Sequence, residues 1–481
     1  MTRVGFARVD ITCAPGTPLG GNAREDKAAR GIHDPLHATV AVLVPEYSGE
    51  AETQVVIGLD LVTAPDALVA AIASAVQERT GIPAANVAVS ATHTHSGPDT
   101  AHGFGFDSHD YSLVDRWQDD AVVAVAKAAQ DAFAAAVPAS LRFATNEVTG
   151  LSFNRRLVHC DGTTRMNWEA LDPADILGER GPIDPELLVL VFRDHSGGPL
   201  GAILHFTLHP AILVGHDGLV SADFVAEAGQ ALEQALDAPV LFINGALGNI
   251  NHLDYREAAR AIGFEESERV GKALGLAAVA ALDNPQTLVD LDDLECRRLT
   301  VVLDQRTVDR DRLQHALAVL AAHAGQPVEA LDGIPEAAYA YWEANLGRTL
   351  TPLLDVNVRV LRFGRVVLVY LPFEVFVEFG LGLRRMFPGH VVRVVSLGDG
   401  YHGYLPTAVA FAEGGYEPTF GTSTIEPGQG EHLMHQVTTE VGAMLRAADA
   451  ARATVRETES NSTSDTGSST VNATGKVQSI G

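Results

Sequence analysis

Hydrophobic positions fall into two kinds of run over residues 1–300. Short apolar runs, such as those at 55–59 and 87–90, are rich in β-branched residues and are typical of buried strands. Longer Ala-rich stretches with helical spacing lie between them, for example at 67–80 and 114–136. Strands that alternate with helices predict an α/β fold with mixed, partly parallel β-sheets and flanking helices.

The pattern changes over residues 305–350. Two amphipathic helices are predicted there, over 309–323 and 335–346, and no strand-like run separates them. Strand-like segments return from residue 356 onwards. We therefore predict one domain over residues 1–450 that carries a helical insert at 305–350.

The last part of the chain has a different composition. From residue 454, Glu, Ser, Thr, Asn and Gly dominate and apolar residues become rare. Such a segment cannot bury enough apolar surface to offset the entropy of ordering it, so we predict that 454–481 is a disordered, low-complexity tail. The rest of the 481-residue chain has the composition of a globular protein.

The charge balance narrows the range of partners. Acidic residues outnumber basic ones by 61 to 34, and the net charge is −27, which disfavours binding to nucleic acid or to anionic membranes. The first residues lack the apolar run of a signal peptide, and no run of about 18 apolar residues indicates a transmembrane helix. We expect a cytoplasmic protein. The sequence does not indicate its oligomeric state.

Two histidines one residue apart carry the strongest chemical signal. His93 and His95 follow the apolar run at 87–91, and Ser96-Gly97-Pro98 then ends the predicted strand. Because side chains alternate along a strand, both imidazoles are expected to point the same way. Such a pair can hold a divalent metal, or one histidine can bind the metal while the other handles protons.

Similar polar residues follow other apolar strands. His209 ends the run at 203–208, and Glu374 follows another strand inside a strongly apolar stretch. A carboxylate in such surroundings must be paired, hydrogen-bonded or bound to a metal. Tyr404 and Tyr416 lie in Gly-rich loops, where a tyrosine taken alone is more often a packing residue.

Together these residue types suit zinc. Two histidines, a glutamate and a tyrosine would form a mixed nitrogen and oxygen ligand set. Zinc would lower the pKa of a bound water to about 7 and so provide a hydroxide nucleophile at neutral pH. A neighbouring histidine and tyrosine could then polarise a carbonyl and protonate the leaving group.

The order of several motifs across residues 4–446 resembles the neutral/alkaline non-lysosomal ceramidase family, in its N-terminal catalytic domain. Besides the histidine segment, these motifs are Asp10-Ile11-Thr12, Gly31-Ile32-His33-Asp34-Pro35-Leu36, Asn154-Arg155, Gly181-Pro182-Ile183-Asp184-Pro185-Glu186, Leu219-Val220-Ser221-Ala222-Asp223 and Asn244-Gly245-Ala246. The resemblance implies an α/β catalytic domain and a zinc-dependent amide hydrolysis that releases a fatty acid from sphingosine.

The resemblance also implies the roles of seven side chains. The zinc ligands would be His93, His209, Glu374 and Tyr404. The catalytic residues would be His95, which handles the proton, Tyr416, which contacts the reacting carbonyl, and Arg155, which lines the site. Asn251 stands where family members carry a serine once proposed as the nucleophile, so that serine mechanism does not apply here.

Several alternatives stay open at this point. The substrate could be N-acylsphingosine or another lipid-like amide, or instead an amide, lactam or ester of a small polar metabolite. A protein that binds metal on the same fold without catalysis is a third hypothesis. The amidohydrolase superfamily also uses His-x-His, but it places the motif after the first strand of a TIM barrel, whereas two strands and a helix precede it here.

Overall fold

The computed structural model of the protein describes residues 1–21, 27–46, 49–102, 110–213, 217–257, 261–324 and 336–464. Part of the predicted insert, 325–335, and most of the predicted disordered tail, 465–481, lie outside these residues.

A nine-stranded sheet forms the centre of the fold. In spatial order its strands are Val240–Asn244, Pro199–Phe206, Glu186–Asp194, Val137–Glu147, Arg3–Asp10, His37–Val44, Gln54–Leu59 and Val87–Ala91, with Thr287–Val289 also paired to Val137–Glu147. The two outermost pairs, one at each end of this order, are parallel, and the pairs between them are antiparallel. The predicted class, mixed and partly parallel, is confirmed.

Both faces of this sheet are covered, which explains the continuous apolar runs in its strands. Val40 and Val42 pack against the helices on one face, whereas the intervening Ala41 packs into the cluster on the other face. That second cluster joins the nine-stranded sheet to Leu368 and Val395 of a smaller sheet. The smaller sheet has four strands, in the order Leu294–Asp304, Leu353–Phe363, Val366–Leu371 and Val391–Ser396.

Helices pack on the outer face of the large sheet. Asp66–Thr80 and Ser112–Ala134 cover one half, and Phe224–Leu236 and Phe264–Ala281 cover the other. The remaining α-helices described are Gly49–Glu52, Arg310–His323, Glu336–Thr349, Val377–Met386, Ala408–Glu413 and Gln429–Ser464. The order of layers is therefore helices, large sheet, small sheet.

Short strand pairs shape the loops around these layers. Three strands, Ile176–Glu179, Arg156–His159 and Thr164–Met166, form a small antiparallel sheet. The two-stranded pairs are Gly31–Ile32 with Leu219–Val220, Phe153–Asn154 with Ile250–Asn251, and Glu374–Val375 with Tyr404–Leu405.

The large sheet curls until its two ends meet. Leu241, on the last strand at one end, packs on Gly58 near the other end, where a Cβ atom would lie 3.1 Å from the leucine side chain. The Asn244 Nδ2 group donates a hydrogen bond to the Thr92 carbonyl at 3.1 Å and another to the Leu208 carbonyl at 2.7 Å. The loops that follow two distant strands are therefore joined by one asparagine side chain.

Two α-helices lie between two paired strands of the small sheet, where the sequence predicts a helical insert. Helices Arg310–His323 and Glu336–Thr349 lie between Leu294–Asp304 and Leu353–Phe363, which pair along their whole length. Ala316, Ala340 and Ala344 form the small core between the two helices. Small side chains at these positions let the two helix backbones approach closely.

The chain divides into two compact units, Met1–Met434 and His435–Gly481. The C-terminal helix reaches Ser464, so it includes the first residues of the segment predicted to be disordered. The Ala-rich run at 447–453 favours this helical extension. No described helix combines the length and the apolar composition that a membrane span requires.

Candidate metal centre

The segment that carries His93 and His95 has a backbone conformation that differs from the prediction. The strand ends at Ala91, so His93 and His95 lie in the following loop and not on the strand. The interpretation that strand alternation aligns them is therefore wrong. His93 has a φ of 76°, a left-handed conformation that is rare for residues other than glycine, and this turn directs its side chain.

Backbone groups fix the orientation of the His93 imidazole. The His93 amide donates to the Leu61 carbonyl at 2.8 Å, and the Nδ1 group donates to the Val62 carbonyl at 2.6 Å. Because a carbonyl can only accept, Nδ1 carries a hydrogen, and in the neutral imidazole Nε2 then presents its lone pair to the site.

His209 presents its Nε2 atom in the same manner. Its Nδ1 lies 3.3 Å from the Leu247 carbonyl, and its Nε2 lies 3.0 Å from that of His93. The Nε2 of His95 lies 3.3 Å from the Nε2 of His93, and the three imidazoles offer ligand atoms within 4.8 Å of one another. Lone pairs at this separation repel one another unless a proton or a cation lies between them.

Glu374 completes the group with a buried carboxylate. Its Oε2 lies 3.2 Å from the His93 Nε2 and 3.3 Å from the His209 Nε2. Among the described residues this oxygen has no hydrogen-bond partner, whereas Oε1 accepts a hydrogen bond from the Tyr401 hydroxyl at 2.9 Å. A buried carboxylate oxygen that faces two imidazole lone pairs fits a divalent cation.

A short parallel strand pair sets Tyr404 beside this carboxylate. Glu374 and Tyr404 are register partners, and the Glu374 amide donates to the Gly403 carbonyl at 2.9 Å. Tyr404 and Tyr416 contact each other with ring centroids 5.6 Å apart. Backbone pairing therefore holds Tyr404 next to the Glu374 carboxylate, and Tyr416 packs against the Tyr404 ring.

Arg155 is buried among the same aromatic rings. Its guanidinium lies 5.3 Å from the Tyr404 ring centroid and 5.8 Å from that of Tyr416, and its Nε donates to Glu417 at 2.8 Å. Its Nη2 is buried and has no partner among the described residues. One donor of this arginine is thus free to bind another group.

Burial and neighbouring charges set the protonation of the site. Burial lowers the pKa of His95 and His209 well below the usual histidine value, and the charge of Arg155 acts in the same direction, so both are neutral at pH 7. Burial alone would raise the pKa of Glu374, but His93, Tyr404 and Arg155 outweigh it, and the net pKa is lowered. The neutral imidazoles of His95 and His209 thus lie beside an ionised carboxylate, and these are the forms that bind metal.

Burial has the opposite effect on the phenols. It raises the pKa of both Tyr404 and Tyr416, so these hydroxyls keep their protons at neutral pH and can donate hydrogen bonds.

A glycine permits the close packing of His95. Gly21 has a φ of 91°, and a Cβ atom there would lie 2.5 Å from the His95 Cγ atom. Any larger side chain at this position would collide with the imidazole.

A cavity of about 420 Å³ opens onto the centre. Five of the seven predicted site residues line it: His93, His95, Glu374, Tyr404 and Tyr416. The other two, His209 and Arg155, are buried and contact members of this group. The structure therefore brings together all seven residues, although they come from segments far apart in the sequence.

Two further residues of the site were not predicted. Tyr401 binds the Glu374 carboxylate, and Asn244 joins the loops that carry His93 and His209. The available signals were the position of Tyr401 in the same Gly-rich loop as Tyr404, and for Asn244 its place at a strand end and in the motif Asn244-Gly245-Ala246.

Comparisons with known proteins identify a family and a related fold. The profile of the family described as "Neutral/alkaline non-lysosomal ceramidase, N-terminal" matches residues 3–245. The neutral ceramidase of Pseudomonas aeruginosa is 26% identical over 226 residues, which are 46% of this chain and 32% of that protein. The sequence match thus spans about a third of the relative's length.

Two solved structures have a fold similar to that of this chain. The crystal structure of the neutral ceramidase from Pseudomonas aeruginosa matches with a TM-score of 0.69 at 20% identity, covering 91% of this chain and 73% of that chain. A structure described as a ceramidase complexed with C2 matches with the same TM-score and identity, covering 93% and 75%. At 20% sequence identity, this structural similarity establishes the fold of the chain.

Proposed function

Because this chain belongs to the neutral/alkaline non-lysosomal ceramidase family, we propose that it is a zinc-dependent hydrolase of a linear amide bond. The main support is the approach of the His93 and His209 Nε2 atoms to the Glu374 Oε2 atom, within 3.3 Å. These three atoms and the Tyr404 hydroxyl would hold the ion, a ligand set that suits zinc. Zinc, when bound, supplies an activated water and polarises the substrate carbonyl.

The other polar residues of the centre would handle the proton and the developing charge. His95 takes a proton from the attacking water and returns it to the leaving amine. Tyr416 donates a hydrogen bond to the carbonyl oxygen, and Arg155, fixed by Glu417, places its positive charge beside the negative charge that develops there. The buried surroundings strengthen both interactions because water does not screen them.

The family relationship favours an N-acyl amide of the ceramide type as substrate. An amide, lactam or ester of a small polar metabolite is the second candidate, because family membership does not determine substrate choice. We assign the reaction to the domain predicted over residues 1–450, and the cytoplasmic location stays a prediction of the sequence.

Metal removal tests the proposal. Purified protein should contain about one zinc ion per chain, and dialysis against dipicolinate should abolish hydrolysis of N-acylsphingosine or of a small N-acyl amide. Zinc added back should restore the activity. Folded protein that takes up no zinc and hydrolyses neither substrate would contradict the proposal, whereas protein that binds zinc and hydrolyses neither substrate would favour the non-catalytic alternative.

Replacing Tyr401 with phenylalanine should weaken zinc binding by about 10- to 100-fold, since its hydroxyl orients the Glu374 carboxylate. The measurement is a competition titration with a chelator. Tyr370→Phe is the matched control, because the buried Tyr370 hydroxyl has no hydrogen-bond partner among the described residues. Equal zinc affinity in the two variants would show that the hydroxyl does not position the ligand.

A further inference from the structure

A histidine, a cysteine and an aspartate meet on the surface, at one end of the three-stranded antiparallel sheet. His159 is the last residue of strand Arg156–His159, Cys160 follows it in the turn, and Asp175 directly precedes strand Ile176–Glu179. One ligand atom from each of the three lies within 4.8 Å of the others. We call these three residues the turn cluster. It shares no residue with the centre described above, and its sulfur, nitrogen and oxygen atoms are all ligand types of zinc.

Backbone hydrogen bonds hold the turn cluster together. His159 and Ile176 are register partners, and the Cys160 amide donates to the Asp175 carbonyl at 2.8 Å. The turn closes at Gly162, whose φ is 85° and whose amide donates to the His159 carbonyl at 2.8 Å. Backbone pairing therefore places the three residues next to one another whatever rotamers their side chains adopt.

Asp161 gives the His159 imidazole the orientation of a metal ligand. The Asp161 Oδ1 atom lies 2.9 Å from the His159 Nδ1 atom, and it also accepts hydrogen bonds from the Thr163 amide at 2.8 Å and hydroxyl at 2.6 Å. When Nδ1 donates to this carboxylate, Nε2 of the neutral ring presents its lone pair. Metal-binding histidines are usually held by such a partner on the other ring nitrogen.

The distances within the turn cluster are close to those of a tetrahedral zinc site. With Zn–S bonds of about 2.3 Å and Zn–N or Zn–O bonds of about 2.0 Å, the sulfur lies about 3.5 Å from each of the other ligand atoms. The Cys160 Sγ atom lies 3.7 Å from the Asp175 Oδ1 atom and 4.0 Å from the His159 Nε2 atom. Because Cys160 and Asp175 are exposed, small rotations of their side chains can close the remaining gap.

We propose that the turn cluster binds a second divalent cation of the zinc class, with water in the fourth position. The soft thiolate favours zinc or cobalt over magnesium or calcium. Exposed side chains must be ordered when they bind, so this site should be weaker than the buried centre and should lose its ion during purification. The inference does not depend on the proposed hydrolase function.

Cobalt titration of the zinc-free, reduced protein tests the second site, because a thiolate ligand gives bound cobalt(II) an intense absorption band in the near ultraviolet. None of the ligands assigned at the first centre is a cysteine, so the band reports on the turn cluster. The wild type should bind about two cobalt ions per chain and develop the band, whereas Cys160→Ser should bind about one and lack it. A wild type without the band, or a band that persists in Cys160→Ser, would overturn the inference.

Cys296→Ser is the matched control and should keep the band. The Cys296 sulfur lies 3.7 Å from the Arg359 Nη1 atom, whose positive charge disfavours a cation there. Asp175→Asn should keep the band but weaken cobalt binding at the turn cluster by at least about tenfold, because it removes a negative charge from the ligand set. Loss of the band in Cys296→Ser, or unchanged cobalt affinity in Asp175→Asn, would contradict the proposed site.

Discussion

Replacing His93 with alanine or Glu374 with glutamine is expected to remove zinc from the protein and to lower kcat/KM by at least about 1,000-fold. Residues that only support a metal ligand already contribute about 10- to 100-fold, so loss of a ligand itself has a larger effect. The Glu374 variant also removes the negative charge that balances the cation while keeping the size of the side chain. The measurement is metal content by mass spectrometry beside steady-state kinetics on the same samples.

Glu378→Gln is the matched control for the Glu374 variant. Glu378 lies four residues further on, and its carboxylate accepts a hydrogen bond from Asn249 at 2.9 Å, which glutamine can also accept. Zinc content and activity should match the wild type. Folded His93→Ala or Glu374→Gln protein with a full complement of zinc would contradict the assignment of these ligands.

Replacing His95 with alanine is expected to lower kcat by about 10²- to 10⁴-fold while zinc stays bound, the usual range for loss of a general acid–base group. The structure distinguishes His95 from the two histidines assigned as ligands. The Nδ1 atoms of His93 and His209 face backbone carbonyls, as is usual for a metal-binding histidine, whereas the buried Nδ1 of His95 has no partner among the described residues.

Added imidazole should partly restore the activity of the His95 variant, because the space left by the side chain lies on the cavity. Such rescue would separate a proton-transfer role from a structural one. Loss of zinc in His95→Ala would contradict the prediction and make His95 a ligand in its own right.

The elements of the fold could be predicted from the sequence because their signals are local. The apolar run at 55–59 predicts a buried strand, and the structure has Gln54–Leu59. The curl of the large sheet depends on non-local contacts, such as those between Leu241 and Gly58 or between Asn244 and Thr92. No pattern within a single segment indicates that two strands so far apart in the sheet will meet.

The site residues also divide into those that a local sequence pattern indicates and those that depend on non-local contacts. His93 and His209 stood out as metal-binding residue types that follow apolar strands, and Glu374 stood out because a carboxylate in an apolar stretch needs a partner. The sequence could not rank Tyr401 against Tyr404, since both lie in one Gly-rich loop and their roles depend on which hydroxyl reaches the carboxylate. The direction of the His93 side chain depends on a left-handed backbone angle that the strand pattern does not indicate.

The curl of the large sheet also bears on how the protein folds. His93 and His209 are separated by 116 positions, so their contact closes a long loop, and such closure has an entropic cost that grows slowly with loop length. A cation shared by these two side chains would act as a cross-link between the opposite ends of the sheet. The free energy that holds the ion would then also hold the sheet closed, and the last step of folding and the capture of the metal would be a single event.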